Sequence, residues 1–174
     1  FDLKELGEMM LDGVKKLAPT GVMLLFAILY FAIMIDTGLF DPSVKFILKL
    51  VKGDPLKVVI GTITLTIIVS LDGDGSTTYM ICVAAMLPLY KRLGMSSLIM
   101  ACLMMLASGI MNLTPWGGPT ARAASALHVE ASDVFVPMVL PMIIAIIWLY
   151  FVGYMYGRSE RKRLGIIELD VRDR

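Results

Sequence analysis

The chain has 174 residues, 57% of them hydrophobic, and a formal net charge of +1; its mean hydropathy is +0.79. That composition excludes an ordinary soluble domain and, with several long apolar stretches, defines an all-α polytopic membrane protein. A near-zero net charge gives no basis for nucleic-acid binding.

Residues 1–18 mix Asp2, Lys4, Glu5, Glu8, Asp12, Lys15 and Lys16 with Leu3, Leu6, Met9, Met10, Val14 and Leu17. This spacing predicts an amphipathic surface helix. Pro19 then opens an apolar run, 20–40, long enough to span a bilayer. Its one charge, Asp36, is expected at the cytoplasmic boundary, and Asp41-Pro42 ends the run. Residues 43–52 put Phe46, Ile47, Leu50 and Val51 on one face and Lys45, Lys49 and Lys52 on the other, the pattern of a short interfacial helix. Gly53-Asp54-Pro55 makes a turn.

Two apolar segments follow, 56–71 and 76–90, each short for a full span. Both outer ends are basic, with Lys52 and Lys57 before and Lys91 and Arg92 after. A hairpin that enters the membrane and turns back, 56–90, places these ends on one side; two independent spans are the alternative. Residues 95–130 are expected to form one discontinuous span, with Pro119 at the first position of its second part. A polar loop, His128 to Asp133, precedes a last span, 134–157, in which Pro137 and Pro141 predict kinks. His128 is expected at the surface. Cys82 and Cys102, far apart in sequence and without His or Cys neighbours, are expected to be buried free thiols rather than metal ligands. The chain begins at Phe1 without a signal-peptide pattern and ends in a charged segment, 158–174, so it is expected to be part of a longer protein. Counting basic residues in the connections puts the basic loops and 158–174 on the cytoplasmic face of a cell membrane.

The chemistry concentrates in two polar breaks within these apolar segments. Irregular, charged backbone at membrane depth is tolerated where protein buries it or where it lines a cavity, and a pair of such breaks points to a transporter's substrate site. The first runs from Ser70 to Thr78. Gly73 and Gly75 relax the backbone, and Ser76, Thr77 or Thr78 can cap the following half-helix, whose amino end favours an anion. Asp72 and Asp74 are too close to share a buried site without a metal ion, an arginine or protons. They are therefore candidates for cation or proton coupling, together with Gly73 and Gly75, and for holding a divalent metal. A structural turn with solvated aspartates is the plainer alternative.

The second break runs from Asn112 to Arg122. Asn112 and Thr114 supply oxygen ligands, and Gly117 and Gly118 open the main chain. Thr120 lies at the start of a half-helix, and Arg122 can pair with a carboxylate in bidentate fashion. The alternative for Arg122 is an ion pair with Asp72 or Asp74. Trp116 walls the site or sits at an interface.

The segments Ala27–Phe31, Ile35–Pro42, Val51–Lys57, Leu71–Met80 and Pro115–Arg122 resemble the CitMHS family of citrate transporters, within the ion transporter superfamily. The resemblance covers most of 19–125 and implies proton-driven symport of citrate complexed with Mg²⁺, Ca²⁺ or a similar divalent ion. It also implies one half of an inverted-repeat fold with a re-entrant hairpin, a missing C-terminal half, and a homodimer moving in elevator fashion. No bound cofactor is implied. A metal–citrate complex carries less negative charge than citrate alone and brings a cation that Asp72 and Asp74 tolerate. A sodium-coupled di- or tricarboxylate carrier or an inorganic-anion carrier is the nearest alternative. An intramembrane aspartyl protease is weakened because Leu71 stands where its motif needs glycine. A passive channel and a purely structural membrane subunit complete the alternatives.

Overall fold

The computed structural model describes residues 2–38, 41–51, 53–73 and 75–165. Among these the chain forms seven α-helices and one 3-10 turn, with no strand. The all-helical expectation is met at that level. Asp74, Lys52 and the segment 166–174 lie outside the described residues, as do the side chains of Asp72 and Ser76.

The first helix, α1, runs unbroken from Leu3 to Asp36 with Pro19 inside it. The expected division at Pro19 is not where the helix stops. Proline removes one backbone donor, and membrane helices tolerate that where neighbours satisfy the freed groups. Ser125 Oγ donates to the Lys16 carbonyl at 3.1 Å, one residue on from the Lys15 carbonyl that Pro19 leaves without its amide donor. Asp36 is exposed at the end of α1.

Helix α2 spans Asp41–Val51 and α3 spans Pro55–Val69. Asp54 caps α3 by accepting from the Leu56 amide at 3.1 Å, and Pro55 takes the first helical position, where its missing N–H is harmless. A 3-10 turn, Ser70–Asp72, leads through Gly73 to α4, Gly75–Arg92. Helix α5 spans Ser97–Met111, α6 Gly118–Leu127 and α7 Ala131–Leu164. Helix α7 contains both Pro137 and Pro141 without interruption.

The centre of the fold is α3. Val58, Val59, Ile63, Leu65 and Val69 are fully buried, packed among α4, α5, α7 and α2. Its threonines would be costly in such a core without partners. Thr62 Oγ1 donates to the Val58 carbonyl at 2.8 Å and lies 3.1 Å from the Tyr90 hydroxyl of α4. Thr64 Oγ1 bonds the Ile60 carbonyl at 2.9 Å and meets the Tyr150 hydroxyl of α7 at 2.9 Å. Each hydroxyl thus folds back on its own helix and ties α3 to a neighbour.

Close contact between α3 and α7 depends on Gly153 and Gly157. A Cβ at Gly153 would run into Ile63 Cδ1, and one at Gly157 would lie 3.1 Å from Leu56 Cα. Small residues four apart allow two apolar helices to approach closely. Gly157→Leu is therefore expected to destabilise the complete protein by about 1–3 kcal/mol, as overpacking does. Denaturant unfolding in detergent measures it, and unchanged stability would contradict this packing.

At the far end of α7, Glu160 is a buried carboxylate that accepts from the Ser96 amide at 3.3 Å and from Arg163 at 2.7 and 3.1 Å. Arg163 also donates to the Gly94 carbonyl at 3.0 Å. The Glu160 carboxylate raises the Arg163 guanidinium above its already high range. Arg161 reaches Asp54 at 3.6 Å. These contacts hold the α2–α3 turn and the α4–α5 turn to one end of α7.

Among the described residues, α7 is the helix long and apolar enough to cross a membrane alone, and 11% of its most apolar window is buried. A soluble core helix would hide that surface; here Val136, Leu140, Ile147 and Trp148 stay exposed. Helices α3 and α5, at 15 residues each, extend about 22 Å. That falls short of a hydrocarbon core of about 30 Å. Cys82 is buried and Cys102 exposed, and neither forms a disulfide. The exposure of Cys102 corrects the expectation that both are buried: it sits on the outer face of α5, away from α3.

Candidate functional site

Both breaks form where an apolar helix runs out of backbone partners. After Val69, the 3-10 turn closes with the Gly73 amide bonded to the Ser70 carbonyl at 3.1 Å. Gly73 adopts φ +75°, the left-handed region that glycine enters without strain. Helix α4 begins at Gly75, so Ser76, Thr77 and Thr78 fall inside its first turn rather than before it. Any anion contact there comes from first-turn amides and the helix dipole, not from a preceding cap. Thr78 is fully buried and Thr77 half-buried.

The second break is a compact pair of turns. The Asn112 amide bonds to the Ser108 carbonyl at 2.9 Å, and the Thr114 amide to Met111 at 3.1 Å. The Gly117 amide bonds to Thr114 at 2.9 Å. Asn112 is half-buried at the C-cap of α5. Gly117 is the N-cap of α6, with no side chain capping the helix, so first-turn amides remain for another acceptor. Thr120 Oγ1 donates to the Leu113 carbonyl at 3.0 Å and ties the helix start to the break. Arg122 is exposed, and its guanidinium lies along the first turn, 3.7 Å from where a Cβ on Gly118 would be.

The structure brings the two breaks together. Trp116 Nε1 donates to the Leu71 carbonyl at 2.8 Å. The indole also covers Gly73, where a Cβ would lie 2.9 Å from Trp116 Cδ1. Gly75 faces α5, with Ser108 Oγ 3.9 Å from its Cβ position. Trp116 thus joins the breaks, a role that residue type alone does not distinguish from wall or interface.

Two hydroxyls stand out. Ser70 Oγ and Thr114 Oγ1 are buried, each residue 4% exposed, and neither has a hydrogen-bond partner among the described residues. Thr62, Thr64 and Thr66 of α3, by contrast, all bond a carbonyl one turn back. Thr114 is one of the oxygen ligands expected from the sequence. Ser70 enters that expectation only as the start of its break; the available signal is a hydroxyl at the end of an apolar helix. The described residues contain no group of three His, Cys, Asp or Glu side chains able to hold a metal. The aspartate pair expected in that role has its side chains outside them.

Broken apolar helices whose polar breaks meet are the construction secondary transporters use for their binding sites. The family model described as citrate transporter, CitMHS, matches residues 10–167. A Bacillus subtilis (strain 168) protein named citrate transporter is 62% identical over 96% of this chain and 39% of its own length. The Mg(2+)/citrate complex secondary transporter of the same organism is 56% identical over 97% of this chain and 39% of its own length. No solved structure matches. The chain belongs to the citrate transporter family, a family of membrane transporters rather than enzymes. It spans about two fifths of the length of the curated relatives it matches.

Proposed function

We propose that the complete protein is a secondary active transporter that takes up citrate as a complex with a divalent metal, coupled to protons. The observation that carries this reading is the junction of the two breaks through Trp116 and Leu71, with a buried hydroxyl in each that has no partner among the described residues. The relative named as a Mg(2+)/citrate complex secondary transporter supports the choice of substrate.

In this account, first-turn amides of α4 and α6 and the Arg122 guanidinium receive citrate oxygens. Asn112, Thr114 and Ser76–Thr78 supply neutral oxygens and amides around the complex. Asp72 and Asp74, next to Gly73 and Gly75 in the sequence, take the metal or the coupling proton, because two carboxylates this close repel unless one or the other is present. Segments α3 and α4 form a re-entrant hairpin, and α5 and α6 one discontinuous span. The basic connections face the cytoplasm, and a second, inverted half completes the site in a homodimer with elevator movement.

Asp72→Asn and Asp74→Asn in the complete protein are expected to reduce metal- or proton-dependent citrate uptake at least tenfold, about 1.4 kcal/mol of lost binding. Wild-type uptake by both variants would overturn their assignment. A sodium-coupled carboxylate carrier or an inorganic-anion carrier is the competing reading, and the ion dependence of uptake separates them.

A further inference from the structure

A groove of about 380 Å³ runs between α2 and α3, lined from Ser43 on α2 to Ile68 near the end of α3. Helix α2 seats Ile47 and Val51 on α3 at Gly61, where a Cβ would approach them to 2.9 and 3.0 Å. The glycine lets the helices close at that point, and the groove opens beside it. Its walls include Phe46 and Leu50 from α2 and Leu56, Ile60 and Ile68 from α3. Phe46 and Leu50 remain 66% and 58% exposed.

One cation, Lys57, also lines the groove, from the first turn of α3. It is exposed, and among the described residues no carboxylate pairs with it. Lys45 and Lys49 are exposed on the opposite face of α2, the arrangement of a helix that lies at a charged membrane surface. We infer that this groove binds an anionic phospholipid, with an acyl chain along the apolar walls and the headgroup phosphate on Lys57. An apolar protein segment in the groove would bury against the Lys57 ammonium and leave it unpaired, at a desolvation cost. A phosphate pairs with it instead, and the stem of Lys57 can lie along the same apolar surface. The inference does not depend on which solute the protein carries.

The test uses the complete protein in nanodiscs of equimolar phosphatidylglycerol and phosphatidylcholine, with retained lipid counted by native mass spectrometry after release. The wild type is expected to retain phosphatidylglycerol over phosphatidylcholine. Lys57→Gln should reduce that preference about fivefold, the factor that one lysine contributes at an anionic surface. Ile60→Trp, which fills the groove, should lose both lipids. Lys57→Gln carries the test alone if Ile60→Trp fails to fold. No retained lipid in the wild type, as expected if the rest of the chain covers the groove, would overturn the inference. An unchanged preference in Lys57→Gln would overturn it as well.

Discussion

Gly117→Ala is expected to destabilise the complete protein by about 3 kcal/mol or more and to abolish citrate uptake. The reason is space, not backbone angle. Gly117 has φ −68° and ψ 142°, which any residue adopts. A Cβ there would fall on the Asn112 carbonyl oxygen and lie 3.1 Å from that of Thr114. These are backbone atoms, so no rotamer change relieves the clash. The turn that carries Asn112 and Thr114 has to open, and with it the Gly117–Thr114 hydrogen bond and the start of α6. Thermal unfolding and uptake, measured on the same preparation, check both halves of the expectation. A variant with wild-type stability and uptake would show that the chain does not pass so closely over itself at this break.

Ser70→Ala and Thr114→Val are expected to act in opposite directions on stability and on binding. A buried hydroxyl without a partner costs about 1–3 kcal/mol in desolvation. Removing it should raise the unfolding temperature of the ligand-free protein. If the same hydroxyl meets a metal–citrate complex, its loss removes a bond to a charged group worth about 1.5–3 kcal/mol, a drop in affinity of roughly ten- to a hundredfold. Greater stability with weaker binding is the trade expected of groups kept for function. Titration of Mg²⁺–citrate together with thermal unfolding separates the cases. Unchanged affinity with raised stability would make the hydroxyls structural orphans. Lowered stability would mean that they have partners in the complete protein.

Local residue order is enough to reveal both breaks. The Gly-Asp-Gly tip and the Pro-Trp-Gly-Gly-Pro stretch stand out because charge and glycine interrupt apolar runs, and Pro119 lies in the first turn of α6. Helix α2 follows from the spacing of Phe46, Ile47, Leu50 and Val51 against the lysines. Pro19 misleads because a proline inside an apolar helix removes one backbone hydrogen bond without having to end the helix. The Trp116–Leu71 bond is likewise a tertiary contact that no local pattern encodes. Gly153 and Gly157 are legible as two small residues four apart in an apolar helix, yet only packing identifies α3 as their partner. That Ser70 Oγ finds no partner among the described residues is not legible at all, since it depends on every described neighbour around the hydroxyl.

On the proposed reading, the joined breaks belong to a carrier of metal-complexed citrate. Uptake of labelled citrate by the complete protein, with Mg²⁺, Ca²⁺ or Na⁺ supplied in turn across an imposed proton gradient, tests it most directly. The expected uptake requires a divalent ion and collapses with the proton gradient. Uptake driven by sodium, and indifferent to divalent ions, would contradict it.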